Sequence, residues 1–377
     1  MKKYTLIYKI KRFLLSNNWF RKINDLKKKI FFLMLANFNK LIGKTYIPDP
    51  RNNINIETTS LCNLKCKFCA YDKRDLIDHP NKTMSVIDFK KVLNQCISEN
   101  YRYIGLSPTT GDLFMDKTIF DKFDLLESNK DILGFYFYTN FIPIKKDLIK
   151  KLLNYKKIKL LGLSIYGDDQ NTFKDFANST DNAYYKLVEN LKELNNLLKK
   201  EMINTNIVIG HRTRKNYNLE KSQSEISIEI KDILKAHNTE YTITDEFNNW
   251  GGMIQEKDVE HLNINFKKNT IKKVGACSYI FSRNIIGSNL DLNACACRDA
   301  NFTLKLGNVN NDNLGKLLSK KNPIYQNLIK NQNEGNFSDV CKSCDFYKSI
   351  YVPDKYSLRQ FPEKYINKLE DFFKITN

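Results

Sequence analysis

The chain has 377 residues, 42% of them hydrophobic and 27% charged, and it carries a formal net charge of +19. At roughly 150 residues a domain, this length predicts two to three domains. The composition excludes a mainly disordered chain, and 14 Gly and 8 Pro exclude collagen-like or low-complexity architecture. The charge is compatible with an anionic partner, but the Lys, Asn and Ile content is equally typical of an AT-rich coding bias.

Residues 1–50 hold 12 Lys and Arg against two acidic residues, and residues 4–43 have the pattern of basic amphipathic helices. Such helices lie on anionic membrane surfaces or pack on their own domain with a solvated basic face; both interpretations stay open. Prolines in 46–50 predict a linker. No run is apolar enough to span a membrane or to act as an export signal, so we predict a cytoplasmic protein, with membrane-surface contact through residues 1–45 as an option. The first helical face comprises Ile7, Ile10, Phe13 and Leu14, and the second comprises Trp19, Phe20, Ile23, Leu26 and Ile30.

From residue 52, predicted strands and helices alternate. Alternation of this kind predicts βαβ units and a parallel sheet, here a full or partial barrel with its site at the carboxyl ends of the strands. Ser85 is the expected N-cap of the first helix. The predicted strands are 54–57, 103–107, 133–139, 158–166 and 204–210, and the predicted helices are 86–99, 117–128, 145–153, 183–200 and 224–236.

The pattern changes at Trp250-Gly251-Gly252. Segments 277–284 and 290–295 read as two strands around a Gly287-Ser288-Asn289 turn, which predicts a hairpin. Residues 313–333 and 362–374 are expected to be helical, the latter with Tyr365, Leu369 and Phe372 on its apolar face. The chain is thus divided into a basic helical segment (1–50), a barrel (51–250), a cysteine-bearing extension (251–350) and a C-terminal helix (351–377).

The nine cysteines are clustered at short spacings, which favours metal ligation over disulfides. Cys62, Cys66 and Cys69 form a CxxxCxxC run after the first strand. Thiolates are soft ligands for iron–sulfur clusters and zinc, and three of them leave one iron of a [4Fe–4S] cluster open. A zinc site with a distant fourth ligand is the alternative.

A second group consists of a pair around the predicted hairpin and a CxxC pair, and four thiolates can saturate a cluster or a zinc ion. Cys297 is read as an alternate ligand, a thiol that exchanges a hydrogen atom, or a buried small hydrophobe, the last being favoured. Cys96 is expected in the core, and no histidine is assigned to metal. The second group comprises Cys277, Cys295, Cys341 and Cys344.

The segment Cys62-Asn-Leu-Lys-Cys66-Lys-Phe-Cys69 resembles the defining motif of the radical S-adenosylmethionine (radical SAM) superfamily. The resemblance implies an α/β fold built on a partial (β/α)6, TIM-like barrel. It also implies a [4Fe–4S] cluster on these three cysteines, with SAM chelated at the open iron. Reductive cleavage of SAM then gives a 5′-deoxyadenosyl radical, which abstracts a hydrogen atom from the substrate.

Further positions resemble weaker motifs of the family. Thr110-Gly111-Asp112 stands where a Gly-Gly-Glu-like segment binds the SAM amino group, with Thr and Asp as departures. Asn140 and Ser164 resemble residues that end the third and fourth strands, and Arg212 or Arg214 is placed near the SAM carboxylate. The resemblance therefore implies a set of cofactor-binding residues: Phe68, Gly111, Asp112, Asn140, Ser164, Arg212 and Arg214.

The second cysteine group resembles the SPASM/twitch extension, in its shorter twitch form with one auxiliary [4Fe–4S] cluster. This implies oxidation or epimerisation of a small molecule, which we expect to be a sugar or polyol-type substrate, phosphorylated, nucleotide-linked or lipid-linked. The expected electron donor is a flavodoxin or ferredoxin. A peptide or protein maturase is the alternative. A tRNA-modifying enzyme using the basic N-terminus is less favoured, because no nucleic-acid-binding motif supports it, and a zinc-bound scaffold is the non-enzymatic alternative.

Overall fold

A computed structural model describes residues 18–49, 53–77, 79–201, 203–267, 272–353 and 365–375. The predicted helical face at Ile7, Ile10, Phe13 and Leu14 lies outside these ranges. No helix within them is long and apolar enough to cross a membrane.

The described residues form strands and α-helices of very different lengths. The strands are β1 (Ile47–Pro48), β2 (Asn53–Ile56), β3 (Tyr103–Gly105), β4 (Gly134–Thr139), β5 (Ile158–Tyr166), β6 (Ile207–Arg212), β7 (Glu240–Thr244), β8 (Glu246–Phe247), β9 (Asn265–Phe266), β10 (Ile285–Ile286), β11 (Asp291–Asn293), β12 (Lys305–Asn308) and β13 (Tyr365–Ile366). The α-helices are α1 (Asn18–Leu41), α2 (Val86–Ser98), α3 (Ile119–Ser128), α4 (Lys146–Leu153), α5 (Gln170–Ala177), α6 (Asp181–Lys200), α7 (Glu225–Ala236), α8 (Glu256–Val259), α9 (Tyr279–Ser282), α10 (Leu314–Leu317), α11 (Pro323–Glu334), α12 (Asp339–Ser343) and α13 (Leu369–Ile375).

The central feature is a nine-stranded sheet in the order β12-β11-β10-β2-β3-β4-β5-β6-β7. Strands β2 to β7 are parallel neighbours in chain order, and helices connect each to the next. This is the α/β arrangement expected of a partial (β/α)6 barrel. Strand β5 has the bounds that its apolar run predicts, and it is buried along most of its length, as a central parallel strand should be.

The connecting helices follow their sequence signals. Ser85 caps α2, as predicted, by accepting a hydrogen bond from the Asp88 backbone N–H. Helix α6 buries Leu187, Leu191 and Leu198, spaced at helical intervals on one face. Helix α5 was not predicted; Asp169 begins it by accepting a hydrogen bond from Thr172 N–H at 2.8 Å. Strand β7 was also not predicted.

The hairpin exists, but its first strand is not where the sequence predicts it. Residues within 277–284 form the short helix α9, and the first strand is β10, which pairs antiparallel with β11. On its other side β10 pairs in parallel with β2, Ile285 opposite Asn55. The hairpin therefore extends the barrel sheet.

Three other expectations need correction. The predicted linker at 46–50 contains β1, which pairs antiparallel with β13, so Tyr365 belongs to a strand and not to the last helix. That helix, α13, begins at Leu369. The region 313–333 forms two helices, α10 and α11, since Asn322 accepts a hydrogen bond from Ile324 N–H and starts a second helix with Pro323 in its first turn.

Candidate active site

A cavity of about 570 Å³ opens at the carboxyl ends of the barrel strands. This volume lies within the roughly 300–1,000 Å³ of small-molecule sites. The three clustered thiols of Cys62, Cys66 and Cys69 form part of its wall. Other residues of its lining are Phe68, Gly111, Asp112, Tyr138, Asn140, Ser164, Tyr166, Arg212, Glu246, Trp250, Arg283, Cys297, Arg298 and Phe346.

The cysteine loop is tied to two neighbouring strand ends. Asn140, just after β4, donates a side-chain hydrogen bond to Asn63 Oδ1 at 2.8 Å. Asp112 N–H, after β3, donates to the Leu61 carbonyl at 2.8 Å. A Cβ on Gly111 would lie 2.7 Å from that same carbonyl oxygen, so glycine permits this close backbone approach. The loop is therefore held by the sheet edge.

The Asp112 carboxylate organises the β3 and β4 ends. It accepts hydrogen bonds from Asn140 N–H at 2.7 Å, Phe114 N–H at 3.0 Å and the Thr139 hydroxyl at 2.9 Å. Burial raises the pKa of Asp112 to about 6, and these donors oppose the rise. The Asp112 side chain is thus fully engaged by protein groups at the ends of β3 and β4.

The cofactor-binding residues expected from the sequence mostly converge. Phe68, Gly111, Asp112, Asn140, Ser164 and Arg212 line the same cavity. Arg214 is absent from that lining, and its guanidinium bonds Asp168 at 2.8 Å and 3.1 Å. Of the two arginines expected near the SAM carboxylate, Arg212 lines the cavity and Arg214 does not.

Cys66 is buried and Cys62 and Cys69 are partly buried. Burial raises the pKa of each thiol: Cys62 to about 12, with Cys66 and Cys69 shifted in the same direction. A thiolate would be favoured here only by a bound cation or cluster. The donor set of three soft sulfurs beside a polar cavity fits the group that the motif implies.

The second group of cysteines lines a separate, smaller cavity: Cys277, Cys295, Cys341 and Cys344. Burial raises the pKa of Cys277 to about 12 and of Cys341 to about 11. Gln332 connects these two, since its Nε2 donates to Cys341 Sγ at 3.3 Å and its Oε1 accepts from Cys277 N–H at 2.9 Å. The backbone N–H of Phe346 also donates to Cys344 Sγ, at 3.3 Å.

N–H donors aimed at sulfur stabilise thiolates and sulfur-bound clusters. Two of the four sulfurs, those of Cys341 and Cys344, therefore receive donors of the kind that stabilise sulfur ligands. No three Cys, His, Asp or Glu side chains within the described ranges converge closely enough to enclose a single metal ion.

Two remaining cysteines differ from each other. Cys96 is fully buried in α2, as predicted. Cys297 lines both cavities and is not a core residue. The aromatic residue Phe346 also lines both, so these two residues separate the cysteine groups.

Several cavity residues were missed by the sequence analysis. Tyr166 packs its ring against Phe68 at 5.2 Å between centroids, and Trp250, Arg283 and Arg298 approach from the C-terminal extension. For Tyr166 a signal was available, because it ends the same predicted strand as Ser164. Arg298 directly follows Cys297 but belongs to no motif, and only the tertiary fold brings it to the cavity.

Comparison with known proteins agrees with this geometry. Residues 56–217 match the model of the radical SAM superfamily. The structure of BtrN in complex with AdoMet and 2-DOIA is similar, with 13% identity and a TM-score of 0.51 over 81% of this chain and 96% of BtrN. Streptococcus suis SuiB bound to the precursor peptide SuiA is similar too, with 16% identity and a TM-score of 0.52 over 90% of this chain and 81% of SuiB.

At these identities the two structures establish a shared fold, which extends well past residue 217. The search of curated proteins found no match. The segment 56–217 that is similar to the radical SAM superfamily contains the CxxxCxxC loop and strands β3 to β6 of the parallel sheet.

Proposed function

We propose that the chain is a radical SAM enzyme that oxidises or epimerises a sugar or polyol-type substrate. The observation that carries the first part is the placement of Cys62, Cys66 and Cys69 on one loop at the carboxyl edge of the sheet, facing a cavity with polar walls. When bound there, an iron–sulfur cluster supplies the electron that cleaves SAM, and the radical so released removes a hydrogen atom from the substrate.

The chain's own residues bind and orient in this proposal. The three thiols hold the cluster, the 110–112 backbone receives the SAM amino group, and Arg212 pairs with the SAM carboxylate. The Arg212 guanidinium lies over the Tyr166 ring at 5.7 Å, which fixes it beside the cysteine loop. Phe68 packs against Phe247 and Tyr166 and excludes water from behind the loop.

For the second cysteine group we propose an auxiliary [4Fe–4S] cluster on Cys277, Cys295, Cys341 and Cys344. The N–H donors to the sulfurs of Cys341 and Cys344 support it, because such donors stabilise sulfur ligands, and all four cysteines are partly buried. A redox group here would accept one electron from the substrate, which favours net oxidation. The structural likeness to BtrN, solved with AdoMet and 2-DOIA, is compatible with this substrate class.

A peptide or protein substrate is the second candidate. The likeness to SuiB, solved with a precursor peptide, favours it. The two candidates differ in the size of molecule that must reach the cavity, so substrate screening with sugars, polyols and peptides separates them. In either case a flavodoxin or ferredoxin is the proposed electron donor.

We also propose that α1 contacts an anionic membrane surface. Leu26, Ile30, Met34, Phe38 and Leu41 are all exposed and recur at intervals of three or four residues. Lys27, Lys29 and Lys40 are exposed on the same helix, in which Asp25 is the one acidic residue. An apolar stripe with flanking lysines is typical of helices that lie in the plane of an anionic bilayer.

Iron and sulfide quantitation with EPR on anaerobically reconstituted protein tests the proposal. We expect about eight irons in the wild type and about four when Cys62, Cys66 and Cys69 are all replaced by alanine. Cys96→Ala, a buried cysteine outside both cavities, is the matched control and should keep the full iron content. SAM should change the EPR signal of the wild type and not of the triple variant.

Other results would change the conclusion. About four irons and one zinc would retain the radical SAM function and remove the argument for oxidation. A protein that binds no iron would contradict the enzyme proposal and leave a zinc-bound scaffold.

A further inference from the structure

Two arginines flank Cys297 on the wall that the C-terminal extension contributes to the cavity. We propose that Arg283 and Arg298 form a binding site for an oxyanion of the substrate, a phosphate or a carboxylate. This inference rests on the proposed function, and it assigns to the same cavity the group by which a substrate is held.

Arg298 is positioned by aromatic rings. Its guanidinium lies 5.1 Å from the centroid of Trp250 and 4.4 Å from that of Phe346. Its Nη1 donates to the Cys297 carbonyl at 2.6 Å, while its buried Nε has no hydrogen-bond partner. A buried donor without a partner is costly. The guanidinium is therefore held in a fixed orientation with hydrogen-bonding capacity to spare.

Arg283, two residues before strand β10 of the hairpin, lines the same cavity as Arg298. It lies over the Tyr279 ring at 4.4 Å, and its Nη1 is 3.9 Å from Cys297 Sγ. Both arginines thus contact Cys297, Arg298 at its carbonyl and Arg283 at its sulfur, and both line the same cavity. Two cations on the wall of one cavity repel each other, and an anion bound between them offsets that repulsion.

Among the described residues, no carboxylate forms an ion pair with Arg283 or Arg298, although Glu246 lines the same cavity. Within the described ranges, the arginine ion pairs are those of Arg214 with Asp168 and Asp169. Arginine stays charged in proteins and presents a planar fork that matches the oxygens of phosphate or carboxylate. An oxyanion bound by Arg283 and Arg298 would offset the charge of both and would accept hydrogen bonds from their guanidinium groups.

The competing role for these arginines is to balance thiolate charge. Burial raises the pKa of both Cys69 and Cys344, and the positive charge of Arg298 opposes the rise in each case. Arg298 thus acts on both cysteine groups. If charge balance were its whole role, its removal would affect iron retention and leave anion binding unchanged.

The test is anaerobic binding of inorganic phosphate to the reconstituted holoenzyme, followed by ³¹P NMR line broadening, with ¹³C-labelled acetate in parallel. We expect Arg298→Gln and Arg283→Gln each to weaken phosphate binding at least tenfold. Arg298→Lys keeps the charge but not the fork, so the loss should be smaller. Arg102→Gln is the matched control, because Arg102 lies outside the cavity and bonds Asn100; it should leave phosphate binding unchanged.

The two anion sources are separated by the probes: phosphate bound more tightly than acetate indicates a phosphorylated substrate, and equal binding indicates a carboxylate. Unchanged phosphate binding in both Gln variants, or iron loss as their only effect, would overturn the inference. Iron, sulfide and the SAM-dependent EPR change are measured on the same samples. If these are lacking in the wild type, the proposed function fails, whatever the phosphate titration gives.

Discussion

The side-chain amide of Asn140 donates a hydrogen bond to Asn63 Oδ1 across 2.8 Å, joining the end of β4 to the loop that carries the three clustered cysteines. Asn63→Ala removes the acceptor and leaves Asn140 in place. A hydrogen bond of this kind contributes about 1 kcal/mol, so we expect SAM affinity to fall about fivefold. Isothermal titration calorimetry with SAM under anaerobic conditions measures this affinity.

Asn37→Ala is the control, since Asn37 is exposed on α1 and bonds only its own helix at Leu33. An equal loss of affinity in both variants would show that the Asn63–Asn140 link does not position the loop.

Gly111 is the second position where the cysteine loop depends on a close approach. A Cβ there would lie 2.7 Å from the Leu61 carbonyl oxygen and 3.0 Å from that of Thr59. Gly111→Ala should therefore displace the loop and cost about 1–3 kcal/mol of unfolding free energy, with reduced iron retention. Gly210→Ala is the matched control, because its nearest neighbour would be 3.9 Å away. Urea unfolding and iron content measure both effects, and equal behaviour of the two variants would contradict the close-contact argument.

His211, in β6, predicts a pH dependence of stability. Its Nε2–H donates to the Gly167 carbonyl at 2.6 Å, and Nδ1 faces the Tyr241 hydroxyl at 2.9 Å. Burial lowers the pKa of His211 from 6.5 to about 4. The unfolded chain therefore binds a proton between these values that the folded chain does not, and stability falls as the pH drops from about 6.5 to 4.

The measurement is urea unfolding between pH 4.5 and 7.5. His211→Gln keeps a donor for Gly167 and removes the titration, so its stability should depend less on pH than that of the wild type. His261→Gln, at an exposed histidine, should retain the wild-type dependence. The same slope in all three proteins would refute the assignment to His211.

The apolar stripe of α1 predicts binding to lipid vesicles. The full chain should sediment with vesicles containing phosphatidylserine, and less with neutral vesicles or at high salt. Replacing Ile30, Met34 and Phe38 together by serine should lower the bound fraction at least fivefold, because the apolar area that enters the bilayer is lost.

A matched triple variant replaces Ile87, Leu133 and Ile324 by serine; these are exposed apolar residues outside α1, and their loss should leave the bound fraction unchanged. Self-association that depends on the α1 stripe, without vesicle binding, would indicate that a second copy covers it and would contradict the membrane proposal.

The sequence predicted the elements whose burial is continuous. The apolar run of β5 is buried on both faces, and the structure keeps its bounds. The short run Tyr279-Ile280-Phe281 is equally apolar but lies in α9. Three residues are too few to distinguish a strand from a helix by their period. In the structure the Ile280 N–H donates to the Cys277 carbonyl, as in a helical turn. Helix α5 had a usable signal, with Phe173 and Phe176 three residues apart behind a capping Asp169.

The residues of the candidate site also differ in whether the sequence could predict them. Residues at strand ends, such as Asn140 and Ser164, were predictable because the carboxyl ends of parallel strands meet at one edge. Arg283 and Arg298 were not, since each is a lone charged residue whose position depends on how the hairpin joins the sheet. Arg212 and Arg214 are two residues apart, and the sequence did not separate them; the ion pair with Asp168 keeps Arg214 elsewhere.

The parallel pairing of β10 with β2 ties two walls of the cavity to each other. The two strands are hydrogen-bonded neighbours: β2 leads into the loop that carries Cys62, Cys66 and Cys69, and β10 leads through β11 to Cys295. Moving the hairpin away from the cysteine loop would therefore break backbone hydrogen bonds of a single sheet, and each broken bond that stayed buried would be costly.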